Sequence, residues 1–449
     1  MSARIYIFLL SIISFIPLEA NENVPSILPN RPILFKGGTI HPVSSEAFKG
    51  DLLIEGSVIK NLFKVPKFLP KDKVEGVQVV ECKGLHLYPG MISANSVLGL
   101  TEIRAVRATR DMIETGDINP NVRAEVAVNP DSELFPVTRS NGVLHALSVP
   151  QGNGLISGKS ALMSLDGWTW EEMVFKSAVG MHMKWPLVPN PERGTNKKQK
   201  EEIQKRQKSA ISKLKKIKES FLRAKAYHKA KKDKIRPDKI DLRWDSMGPV
   251  LKGDVPIYVH VNKLSGIRSA VNFAVEQNIR IVIVGGADAW RTIPLLKKHS
   301  VPVIISPVNA LPSRRWEEYD TPMVNPLKLY EGGVQFCIAG PGGSMDAPHE
   351  RNLPYEAARA AAYGLPKDEA LRSVTLYPAK ILGVADRLGS LEIGKDATLI
   401  VCTNDPLEVT SNVKMAYIKG KPIGLSNKQT RLYEKYKVKY RQLREKNKN

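Results

Sequence analysis

Between residues 255 and 338, apolar runs of strand length alternate with segments whose apolar residues recur at helical spacing. Val255-Pro256-Ile257-Tyr258-Val259-His260, Arg280-Ile281-Val282-Ile283-Val284, Val301-Pro302-Val303-Ile304-Ile305 and Val334-Gln335-Phe336-Cys337-Ile338 predict strands. Residues 266–277 and 289–298 predict helices between them, and residues 355–363 and 367–375 predict two closing helices. Consecutive strand–helix units with right-handed crossovers predict a barrel over residues 89–384, with an open doubly wound sheet as the competing arrangement. The two ends carry a different rhythm. Ile33-Leu34-Phe35, Asp51-Leu52-Leu53-Ile54 and Val77-Gln78-Val79-Val80 are short β-rich runs separated by Gly37-Gly38 and Glu55-Gly56, and residues 391–401 and 414–420 resume the pattern. Residues 31–88 and 385–423 therefore predict one composite β-sandwich. The expected fold class is α/β, a TIM (β/α)8-type barrel with a composite sandwich made by both ends.

One segment breaks the alternation. Residues 197–230 predict a single long basic helix with a narrow stripe of Ile203, Ala210, Leu214, Ile217 and Phe221, which suits either a partner surface or the barrel itself. The tail, residues 425–449, repeats the idea with Leu432, Tyr436, Tyr440 and Leu443. Charge follows these two segments. The chain of 449 residues has a net charge of +22; residues 193–243 hold 20 Lys/Arg against 6 Asp/Glu, and residues 425–449 hold 9 against 2. The body is close to neutral and carries a basic helical insertion at 193–243 and a basic tail.

Residues 1–20 read as a signal peptide, with Arg4 before an apolar run at 5–17 and a small residue, Ala20, at the cleavage point. The run is short for a membrane span. The expected location is exported, periplasmic or extracellular. That address makes nucleic acid an unlikely partner for residues 197–230 and favours an anionic envelope surface or an acidic partner. Cys82, Cys337 and Cys402 form no Cys-x-x-Cys pair, which excludes a zinc ribbon or redox dithiol.

Three stretches carry a family likeness: Tyr88-Pro89-Gly90-Met91-Ile92-Ser93-Ala94-Asn95-Ser96-Val97, Gly37-Gly38-Thr39-Ile40, and a closing signature over residues 371–397. Over residues 31–423 the chain resembles the amidohydrolase superfamily, in its imidazolonepropionase-like branch. The resemblance implies a site at the C-terminal ends of the barrel strands, where a metal lowers the pKa of a bound water and an aspartate shuttles the proton. By the same resemblance His260 matches the ligand position of the fifth strand, and Lys184 matches loosely a bridging lysine. The two histidine positions of the first strand hold Asn95 and Val97, and the aspartate before them is Ser93. The histidine expected after the sixth strand falls at Gly285, and the aspartate after the eighth at Gly340. One histidine does not make a catalytic zinc site, which normally keeps three protein ligands.

The candidate catalytic residues are therefore His260, Lys184 and Asp288. Asn95, Arg104 and Asn262 are candidates for binding a small-molecule substrate, with Arg104 in an Arg-rich segment suited to a carboxylate. No cofactor is expected, except a divalent metal if Asp288, Asp346 and His349 rebuild a site. Residues 340–343, Gly-Pro-Gly-Gly, read as a flexible turn more readily than an anion cradle. His41, His86, His145, His228 and His299 lack ligand spacing. Two functions remain open: an exported hydrolase of non-peptide C–N bonds, cyclic ones included, or a non-catalytic protein of the same fold that binds a small molecule or an envelope partner.

Overall fold

Alternation of buried and exposed residues builds the first sheet from both ends of the chain. Its N-terminal strands are β1 (Ile33–Ile40), β2 (Phe48–Glu55), β3 (Val58–Lys64), β4 (Gln78–Glu81) and β5 (His86–Pro89). The barrel follows with β6 (Met91–Ser96), β7 (Val143–Ser148), β8 (Ile156–Ser164), β9 (Val174–Lys184), β10 (Ile257–Val261), β11 (Ile281–Gly285), β12 (Val303–Ile305) and β13 (Phe336–Ile338). Strands β14 (Leu399–Cys402), β15 (Val413–Ile418) and β16 (Lys421–Pro422) return to the first sheet, where β14 pairs antiparallel with β5. That pairing makes the sheet composite, and Phe35, Leu52, Ile59, Leu87, Leu399 and Val401 share its apolar core. The computed structural model describes residues 24–64, 76–152, 154–190, 196–235 and 240–447. The signal-peptide segment and the two flanks of the basic insertion, 191–195 and 236–239, lie outside them.

The second sheet runs β13-β12-β11-β10-β9-β8-β7-β6, a nearly closed eight-stranded barrel. Its two halves differ. Strands β9 to β13 are all parallel, whereas β8 runs antiparallel to both β7 and β9. The expected alternation of strand and helix therefore holds for the second half, while β7, β8 and β9 form a meander without intervening barrel helices. Tyr258, Val282, Val284, Ile304, Cys337, Ile92 and Leu147 share one cluster along the inner wall. Gly180 is required on β9, because a Cβ there would lie 1.9 Å from the Tyr258 ring.

Besides four short helices, Leu134–Arg139, Trp170–Met173, Leu242–Asp245 and Gly248–Lys252, the chain forms α1 (Lys197–Lys232), α2 (Leu264–Gln277), α3 (Ile293–Lys298), α4 (Thr321–Glu331), α5 (Leu353–Ala362), α6 (Lys367–Arg372), α7 (Leu376–Ile381) and α8 (Lys428–Lys446). The helix expected over 289–298 is split into a 3-10 turn, Ala289–Arg291, and α3, with Pro294 in the first turn of α3. The closing signature has a mechanical role. Ile92 N–H of β6 donates to Val374 O and Ile338 N–H of β13 donates to Ser373 O, so residues 373–374 bridge the seam between the outer strands. The long basic helix lies on the barrel: Ala210, Ile217, Phe221 and Ala224 are buried, and Phe221 meets Phe273 of α2 edge-on, with ring centroids 5.2 Å apart. Burying Ile217 and Phe221 contributes about 1.5–3 kcal/mol each. The tail helix α8 buries none of its residues. Among the described residues no helix is long and apolar enough to cross a membrane.

Candidate active site at the barrel mouth

Parallel register sets one side of the mouth. His260 is paired with Lys184, and Tyr258 with His182, so alternate residues of β9 and β10 place these side chains on the same face. His182 Nδ1 and His260 Nε2 are 2.9 Å apart and share a hydrogen bond. Burial, followed by the nearby Lys184 charge, lowers the His260 pKa to about 4, and burial followed by His260 holds His182 well below the usual histidine range. Both rings are thus neutral at pH 7, one donating to the other. Lys184, its own pKa lowered by burial, donates from Nζ to Gly152 O at 2.6 Å. Gln151, the preceding residue, donates its side-chain N–H to Gly342 O across the mouth.

The opposite side is built from β6 and the loop after β13. Asn95 Nδ2 points to Ser306 Oγ at 3.4 Å, Gly340 O at 3.5 Å and Pro341 O at 3.4 Å. Ser306 Oγ donates to the same Gly340 carbonyl. Ser93 Oγ donates to Glu350 Oε2 at 2.7 Å, and Glu350 is buried on the 3-10 helix Ala347–Asn352. Burial raises the Glu350 pKa to about 7 against the opposing bonds from Ser93 and Ser96. Two buried acceptors remain without a partner here, Glu350 Oε1 and Asn95 Oδ1.

The positions that the resemblance marks for ligands hold different groups: Asn95 is polar, Val97 apolar, and Gly285 and Gly340 bare. Val97 is buried among Leu98, Met112 and Phe135. A Cβ on Gly285 would meet Asn262 Oδ1 at 2.4 Å, and Gly285 has φ +98°. A Cβ on Gly340 would meet both Glu350 carboxylate oxygens at 3.4 Å. The remaining imidazole, His260, faces His182. Among the described residues no group of three His, Cys, Asp or Glu side chains is placed to hold a metal. The donor set does not fit a catalytic divalent ion.

The other sequence candidates separate. Asp288 is buried and accepts both Arg314 guanidinium nitrogens and Leu264 N–H, the latter at 2.8 Å. Burial pushes its carboxyl up, but the Arg314 bonds outweigh that and hold it below the usual range. It is a locked anion that caps α2. Asn262 is exposed and accepts from Ala287 N–H at 3.3 Å, and Arg104 is exposed on the loop after β6. Asp346 accepts Gly343 N–H at 3.1 Å and does not join Asp288 and His349 in a ligand group. The structure thus brings His260 together with Lys184, and Asn95 with Gly340, while Asp288 lies with Arg314. Sequence reasoning passed over His182 and Glu350. His182 was accessible from its two-residue spacing to Lys184 on one strand, but nothing in the local sequence of Glu350 marks it.

The near-closed barrel carries its polar constellation at one mouth, the usual place for a site in this architecture. The sequence profile of the Amidohydrolase family matches residues 254–423. Amidohydrolase tasK of Hapsidospora irregularis is 25% identical over 412 residues, 83% of this chain and 39% of the relative, so the chain spans about two-fifths of that protein's length. An amidohydrolase from Thermotoga maritima MSB8 superposes with TM-score 0.75 at 26% identity, covering 87% of this chain and 99% of that one. Ochratoxinase of A. niger, at 12% identity, TM-score 0.51 and coverage of 89% and 98%, shares the fold alone. Residues 254–423 thus match the Amidohydrolase family, and the chain shares its fold with the amidohydrolase of Thermotoga maritima MSB8.

Proposed function

We propose that this is an exported amidohydrolase-fold protein whose barrel mouth binds a small molecule without a divalent metal. The observation that carries the reading is the replacement of ligand positions: Asn262 stands against Gly285, Gly340 offers no side chain and has Glu350 beside it, and His182 engages the remaining imidazole. The orphaned acceptors Glu350 Oε1 and Asn95 Oδ1 favour a ligand that brings hydrogen-bond donors. The closing signature at residues 371–397 supports placement in the imidazolonepropionase-like branch, and residues 1–20 support export. Elemental analysis of the purified protein tests the central claim: we expect no stoichiometric zinc, iron or manganese. One tightly bound ion per chain, or turnover that appears on adding zinc or manganese, would falsify it.

A second reading, a hydrolase of non-peptide C–N bonds, is favoured by Glu350. A carboxyl raised to about 7 beside the position of the family's aspartate has the basicity of a general base at neutral pH. A panel of hydantoins and N-acyl amino acids separates the two. Hydrolysis unaffected by chelators and abolished in Glu350→Gln supports the second reading, and absence of turnover in the wild type supports the first.

A further inference from the structure

Beside the mouth, over the loops that follow β10, β11 and β12, lies a cavity of about 740 Å³, within the size range of small-molecule sites. It shares no side chain with the His260, Lys184 and Asn95 cluster, so it stands or falls independently of the function proposed above. Its walls are of two kinds. Leu187, Val188 and Ile203 give an apolar side, continued by Trp316, which is 64% exposed yet held between Arg291 and Arg314 at 5.6 and 5.3 Å from its ring centroid. The other side is cationic. Arg314 is neutralised by Asp288 and Glu317, but Arg291 stands 4.0 Å from Asp288, beyond hydrogen-bond reach, and Lys263 has no carboxylate partner among the described residues. Lys263 is also the N-cap of the 14-residue α2 and offers no side-chain cap. Leu264 N–H is taken by Asp288, whereas the N–H groups of Ser265 and Gly266 have no carbonyl four residues back within the helix. A cavity with one apolar, aromatic wall and one wall carrying Lys263 and the loosely paired Arg291 matches an amphipathic anion.

We propose that this cavity binds a small organic carboxylate with an aromatic or branched apolar body. The carboxylate is received by Lys263 and Arg291 at the start of α2, and the body lies against Trp316 and Leu187. Calorimetric titration of the full chain with N-acetylphenylalanine, using N-acetylphenylalaninamide as the uncharged control, tests it. The acid binds, and the amide binds at least about tenfold more weakly, as expected for loss of a charge-assisted contact. Lys263→Met and Arg291→Met each weaken the acid by about tenfold and leave the amide unchanged. Trp316→Ala weakens both ligands. Circular dichroism confirms that the variants are folded; none of the three replaced residues is buried. Equal binding of acid and amide, unchanged affinity in both cation variants, or no binding of the acid by the wild type would each overturn the proposal.

Discussion

On the β9–β10 side of the mouth, His260 keeps its imidazole but bonds it to His182 at 2.9 Å, beside Lys184. On the β6–β13 side, the groups at Ser93, Asn95 and Gly340 are neutral, and a carboxyl from outside the strands, Glu350, bonds Ser93 and lies beside Gly340. Burial acts on both sides with opposite sign in pKa, lowering the two histidines and raising the glutamate, and with the same result: it suppresses charge. A metal site needs the reverse, anionic or lone-pair donors converging on one point. One side keeps a ligand-type residue but ties it to a second imidazole, while the other keeps polarity without a ligand set.

The sharpest test of this contrast restores the family's carboxylate. Gly340→Asp would set a second carboxyl against buried Glu350, and we expect a loss of about 3–5 kcal/mol at pH 7, the usual range for an uncompensated buried charge. Adding Glu350→Gln should recover much of that loss in a double-mutant cycle measured by denaturant unfolding. Additivity of the two substitutions would show that the two side chains do not share the space.

Glu350→Gln alone probes the acidic side. Its folded pKa of about 7 lies above the unfolded value near 4.5, so the native state holds the extra proton and wild-type stability falls as pH rises between those values. The fall amounts to about 3 kcal/mol, and the Gln variant should lack it. An identical slope in both proteins would remove Glu350 as its source. On the other side the sign reverses. His260 titrates at about 4 in the fold and near 6.5 when unfolded, so stability is lost as pH falls through that window. Because His182 takes part in the same bond, His260→Asn should flatten only part of this acid limb, by about 1–2 kcal/mol. A variant with an unchanged acid limb would show that the pair is not buried as described.

Much of the fold was legible from local pattern. The strand runs at 257–261, 281–285, 303–305 and 336–338 coincide with apolar stretches of the right length, and the glycine-punctuated ends announced the composite sheet. The meander around β8 was not legible, because direction within a sheet depends on neighbours distant in sequence. At the site only positions were legible, because the family resemblance pointed to Asn95, Val97, Gly285 and Gly340. What stands in their space was not. Asn262 precedes Gly285 by 23 residues and Glu350 follows Gly340 by ten, and only the loops bring them there.

The two basic helices make the same division. By sequence α1 and α8 are alike, each a lysine-rich helix with one apolar stripe. Tertiary packing seats Ile217 and Phe221 of α1 against the barrel and leaves Tyr436 and Tyr440 of α8 exposed. The sequence by itself determined periodicity, charge and the residue type at each strand end, because those are properties of near neighbours. Only the tertiary structure decided which stripe is covered, which imidazole is engaged and which carboxyl is buried, because burial and hydrogen-bond partnership are set by residues that the chain brings together from far apart.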